Sequence, residues 1–79
     1  MAIVEITEWQ VGFNKVACTN IVRAASGLDL ADGKRVTDGV LAGNAQRISV
    51  PSAEIAQRLV RDLAEIGAFA AIIEVLEHE

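Results

Sequence analysis

Residues 14–36 read NKVACTNIVRAASGLDLADGKRV, and they parse as two short helices joined at Ser26-Gly27-Leu28. Asn14 suits the N-cap of a helix over about residues 15–26, with Phe13 just ahead of it positioned to staple onto Cys18. On that helix Ala17, Cys18, Ile21, Val22 and Ala25 make one apolar stripe at helical spacing, while Val16, Thr19, Asn20 and Arg23 occupy the opposite face. Gly27 ends the helix, because a residue that tolerates positive φ is favoured there, and Asp29 caps a second helix over about residues 30–41. Leu30, Val36, Val40 and Leu41 are expected to turn to the core. Gly33 and Gly39 each cost that helix about 1 kcal/mol relative to Ala, unless Gly33 is there to let the two helices approach closely. The pair also carries Lys15, Arg23, Lys34 and Arg35 in a chain whose net charge is −4. Either that basic stripe holds something, or it is the solvated back of two core helices.

Working outward, AIVEITEW at 2–9 is rich in β-branched residues and sets Val4 and Ile6 against Ile3, Glu5, Thr7 and Trp9, the alternation of a strand. Gln10 to Gly12 turn the chain. Beyond Ala42-Gly43-Asn44, AQRISV alternates Gln46, Ile48 and Val50 against Arg47 and Ser49. Pro51 and Ser52 then open a helix with Ile55, Leu59, Leu63 and Ile66 as its buried stripe. Gly67 closes it before a last strand, AFAAIIEVL. The order β-α-α-β-α-β predicts one α+β, two-layer domain spanning residues 1–79: a three-stranded antiparallel sheet with three helices on one face.

That architecture leaves one sheet face uncovered. With Ala70 and Ile72 toward the helices, Phe69, Ala71, Ile73 and Val75 point away, beside Ile3 and Trp9 if the first strand is the neighbour. Such an apolar patch predicts a homo-oligomer or a partner on the sheet; the competing explanation is a register slip in the strand assignment. Trp9 itself reads either as a partner anchor or as packing at the strand end.

With 79 residues, 52% apolar and 23% charged, the chain suits a single compact core. Its acidic balance, with a pI near 4.8, argues against non-specific nucleic-acid binding, which needs many cations to displace counterions. The longest nearly apolar run, Ile66 to Ile73, is too short to cross a bilayer, and the N-terminus does not read as a secretion signal, so the expected compartment is the cytoplasm. One cysteine excludes an internal disulfide and a multi-cysteine metal site. Cys18 lies on the apolar stripe with no His nearby to activate it, and so reads as a small buried thiol. His78, between Glu77 and Glu79, reads as part of a frayed acidic end rather than a metal site. No acid and base pair of carboxylates and no phosphate-binding glycine loop is evident. Neither an enzyme nor a bound cofactor is expected.

NKVA at 14–17, VRAASGL at 22–28, Leu30 and Gly33-Lys34 together resemble the helix-turn-helix signature of the C-terminal domain of the bacterial ribosomal stalk protein. The likeness runs on more weakly through Ser52, Ala56, Leu59, Leu63, Glu65 and Gly67-Ala68. The resemblance implies the same element order and a domain that recruits translation factors, chiefly the elongation factors Tu and G, through the outer face of its first two helices. By position, the implied contact residues are Lys15, Val16, Thr19, Asn20, Arg23, Gly27 and Lys34. Three departures stand out. Thr19 and Asn20 replace an apolar residue followed by a Lys, Asp29 replaces a Gly between leucines, and the family's N-terminal dimerisation domain and hinge have no counterpart in these residues. The fold is also similar to that of the Clp protease adaptor, but the adaptor's acidic Asn-Asp-Asp motif ahead of the first helix is replaced by QVGFNK.

The sequence therefore leads to the expectation of a freestanding protein-binding domain that uses Lys15, Val16, Thr19, Asn20, Arg23 and Lys34, with Leu28 adding apolar area. The charges would speed association and fix orientation. The alternatives are a Clp-adaptor-like role in regulated proteolysis and a structural homo-oligomer built on the sheet.

Overall fold

A computed structural model of the protein describes residues 1–76; the acidic tail and His78 lie outside the described residues. The elements run β1 (Ala2–Trp9), α1 (Lys15–Ser26), α2 (Leu30–Leu41), β2 (Gln46–Val50), α3 (Ala53–Glu65) and β3 (Ala68–Val75). The β-α-α-β-α-β order is as expected, and the sheet is antiparallel in the order β2-β1-β3. Helix α1 packs against both α2 and α3, which scarcely touch each other, and α3 lies over β3. The helical layer thus reads α2-α1-α3.

Local chemistry sets the helix ends. The Asn14 side chain accepts from the Ala17 amide at 3.0 Å, Asp29 from Asp32 at 2.8 Å and Ser52 from Ile55 at 3.2 Å; each satisfies an amide that the helix leaves without a partner. Gly27, with φ of 78°, ends α1 and donates to the Arg23 carbonyl. Asp29 is therefore the cap that starts α2.

Ala2, Val4 and Ile6 of β1 join Ile48 and Val50 of β2, Ala68 of β3, Cys18 and Val22 of α1, Val40 of α2, and Ala56, Leu59 and Leu63 of α3 in one core. Leu30 departs from expectation, being 46% exposed. At ~100° per residue it falls on the Gly33–Thr37 flank of α2, which faces α1, and not on the flank that reaches the sheet.

The sheet corrects two further expectations. The β1–β3 register slips between Ile6 and Glu8 and again between Ile3 and Val4, so that Trp9 pairs with Ala68 and Ala2 pairs with Val75. Directly opposed residues project from the same face. Ala68 and Ala2 are core residues, so Trp9 and Val75 belong to the helix side and not to the open face. Each irregularity inserts one residue and inverts the alternation beyond it. Trp9 leans on Phe13 instead, with ring centroids 6.0 Å apart and a tilt of 47°, which is the strand-end packing alternative.

Between α1 and α2 the contact is close and polar at its centre. Gly33 is buried, and a Cβ there would stand 2.7 Å from Arg23 Cγ and 3.3 Å from Thr19 Cγ2. The Thr19 and Thr37 hydroxyls meet at 2.8 Å, and each also reaches a carbonyl of its own helix, Lys15 and Gly33. One hydroxyl donates across the interface and the other donates back, so both are satisfied in a place closed to water. Cys18 beside them is fully buried. Burial pushes its thiol above the ordinary value of 9.0, with a hydrogen bond to Thr37 partly offsetting the rise.

Two outcomes follow from this packing. Gly33→Ala should lower stability by about 1 kcal/mol or more, because the Arg23 stem has to move. In an Arg23→Ala background most of that penalty should vanish, leaving the helix-propensity gain of Ala over Gly, about 1 kcal/mol. A double-mutant cycle in urea checks this, and an equal penalty in both backgrounds would refute the contact. For Cys18 the raised folded value means that the unfolded chain loses its proton first, so stability should fall as pH rises past 9.0. The stability gap between wild type and Cys18→Ala should therefore narrow between about pH 8 and about pH 10; a constant gap would count against it.

Candidate protein-binding groove between the first two helices

The α1–α2 hairpin leaves an open groove of about 340 Å³ lined by Lys15, Val16, Thr19, Asn20, Leu30, Lys34, Thr37 and Asp38. Five of the residues singled out from the sequence (Lys15, Val16, Thr19, Asn20 and Lys34) meet in it. Val16 is 66% exposed and Leu30 46%, and the two helices bring them to one apolar shelf. Lys15 stands beside it from the first turn of α1 and Lys34 from the second turn of α2. Asp38 is the one carboxylate in the lining.

The structure changes the part played by several candidates. Thr19, expected on the outer face, is only 7% exposed. Its hydroxyl is committed to Thr37, so it shapes the floor of the groove and offers little to a partner. Arg23 does not line the groove. Its stem lies over Gly33, and its Nε points to the Leu28 carbonyl at 3.4 Å. Leu28 packs against the core, which withdraws the apolar area expected of it, and Gly27 serves as the exposed cap. Arg35 leaves the basic stripe to pair with Asp32 at 3.0 Å, three residues away on α2; exposed pairs of this kind contribute little to stability.

Leu30, Thr37 and Asp38 were missed as site residues. For Leu30 the signal was present, since it follows the cap Asp29 and lies on the same flank of α2 as Gly33. Helical periodicity alone assigned it to the core because it weighs apolar character and not the direction of the neighbouring helix.

The open sheet face is a weaker candidate than its sequence suggested. With Trp9 and Val75 removed, it keeps Ile3, Phe69, Ala71 and Ile73. These are interrupted by charge: Arg47 Nε donates to Glu5 at 3.0 Å across β1 and β2, Glu74 pairs with Ile3, and Glu8 pairs with Phe69. The patch is broken where an obligate interface would need continuity.

No helix among the described residues is long and apolar enough to cross a membrane. No family model matches the chain, and none of the curated proteins is a significant match.

Proposed function

We propose that this α+β domain is a non-enzymatic protein-binding module that engages its partner through the α1–α2 groove, in the manner of the translation-factor-binding domain that its sequence resembles. The observation that carries the reading is the exposed pair Val16 and Leu30 with Lys15 and Lys34 beside it. An apolar anchor flanked by cations fits an amphipathic segment with apolar residues on one side and carboxylates beside them, the helix-in-groove mode of recognition. Such a partner also suits a chain of net charge −4, because the two local lysines favour the approach of an acidic segment to the groove.

Arg23 supports the groove from beneath by holding α2 against α1, so it is a poor choice for testing the surface. Lys15 and Lys34 are exposed, and changing them leaves the helix contact intact. The Lys15→Glu, Lys34→Glu double variant should keep the melting behaviour of the wild type and lose at least ~10-fold in affinity, since it replaces two attractions by two repulsions. The test is a titration of labelled domain with purified elongation factors Tu and G by fluorescence anisotropy, in low salt and in about 0.5 M salt. Binding that weakens with salt and with the double variant supports the reading. Equal affinity of variant and wild type refutes the groove, and failure of both factors to bind at ~100 µM refutes translation factors as the partners.

A further inference from the structure

The two edges of the sheet are not alike. At one edge, β2 is five residues long, carries the exposed Arg47 and runs into Pro51, which are the usual devices that keep an edge from pairing. At the other, β3 is eight residues long, contains neither a basic residue nor Pro, and has Glu74 as its one charge. Its inner side is paired to β1 along its length, and its outer side has no neighbouring strand among the described residues.

The helix above that edge is matched to it. Ile55, Arg58, Leu59 and Asp62 of α3 look toward α1, because they line a second groove with Asn20, Ile21, Ala24 and Ala25. At ~100° per residue, all five charged residues of α3 (Glu54, Arg58, Arg61, Asp62 and Glu65) fall on the α1 side or straight out to solvent. The flank turned away from α1, on the side of the free edge of β3, consists of Ala53, Gln57, Val60 and Ala64. An amphipathic helix ordinarily spreads its charges over the whole of its wet surface. Here one flank has none: Gln57 and Ala64 are exposed on it, Ala53 is half-buried and Val60 packs against the core.

We infer that β3 pairs antiparallel with β3 of a second copy of this chain, about a two-fold axis at Ala70, joining the two sheets into one of six strands with the α3 helices side by side above it. In that register the exposed Phe69 lies opposite the partner's exposed Ala71 on the open face, while Ala68 stays closed within its own core. A large residue meets a small one, and the pair keeps to one face, as antiparallel pairing requires. The regular ladder ends at Ile72 because the register irregularity between Ile3 and Val4 follows it, which leaves Glu74 outside the joint. A second copy fits better than an unlike partner because an isologous contact sets one surface patch against itself, and a patch carrying charge of one sign would repel its copy. The uncharged flank of α3 meets that condition, whereas a charged partner would call for complementary charge. The interface lies on the opposite side of the helical layer from α2 and does not depend on the groove assignment.

Sedimentation of the full chain from ~1 to ~100 µM should show reversible growth to twice the monomer mass of 8.4 kDa. Ala64→Lys, an exposed helical position where Lys is well tolerated, should weaken association at least ~10-fold by setting an ammonium group without counter-charge against the uncharged flank of the partner's α3. Lys34→Glu should leave association unchanged. In a Cys18→Ala background, Ala70→Cys should form an intermolecular disulfide under mild oxidant, because the two β-carbons face each other at the axis. A chain that stays monomeric throughout overturns the proposal and would leave the edge for an extended strand of another protein. A dimer unaffected by Ala64→Lys overturns it as well, and a dimer that Ala70→Cys does not cross-link overturns the register.

Discussion

The close approach of α1 and α2 at Gly33 is the contact on which the rest of the helical layer depends. Lacking a Cβ, Gly33 lets the Arg23 stem and the Thr19 methyl lie directly on the α2 backbone. That distance brings the Thr19 and Thr37 hydroxyls within 2.8 Å and brings Val16 and Leu30 to a common shelf. A glycine in a helix interior costs about 1 kcal/mol of propensity. Here the cost is offset by burial that no larger residue would allow, and the groove is the outer face of the same contact. Two neighbouring residues acquire their roles in this frame: Thr19 belongs to the hydroxyl pair, and Asp29 to the cap that starts α2.

Much of this arrangement was legible in the sequence because it is local. Caps, the left-handed Gly27 and the stripe of α1 are set by residues within a turn or two of one another, and the element order follows from them. What escaped the sequence depends on distant partners. Leu30 reads as a core residue until the direction of α1 is known. Thr19 reads as surface until Thr37, eighteen positions away, supplies its hydrogen bond. Trp9 and Val75 were assigned to the open face by strict alternation, and an inserted residue in either strand is enough to defeat that rule. Nothing in AIVEITEW or AFAAIIEVL marks the irregularities, since their strand partners create them.

The same irregularities decide how the sheet meets its surroundings. Strict alternation through β1 and β3 would collect Ile3, Trp9, Phe69, Ala71, Ile73 and Val75 into one apolar face, a hazard for a chain with a single small core. By turning Trp9 and Val75 to the helix side, the shifts divide that surface, and the Glu5–Arg47 pair divides what remains. Beside that face, β3 keeps an outer edge with no neighbouring strand among the described residues, where backbone groups are available for pairing.

Charge is distributed to the same effect across the helical layer. Lysines stand beside the α1–α2 groove at one side of the molecule, the uncharged flank of α3 lies on the side of the β3 edge at the other, and the mixed charges of α3 point toward α1 or straight out to solvent. A net-negative chain repels its own copies at long range, but within a Debye length of ~8 Å at physiological salt the local pattern governs contact. Paired through β3, two copies would carry their grooves on the outer flanks of a single extended sheet, both open to solvent. If the groove takes acidic segments as proposed, a partner offering two of them would then bind the second as an intramolecular event, and binding would gain strength from geometry without any added contact.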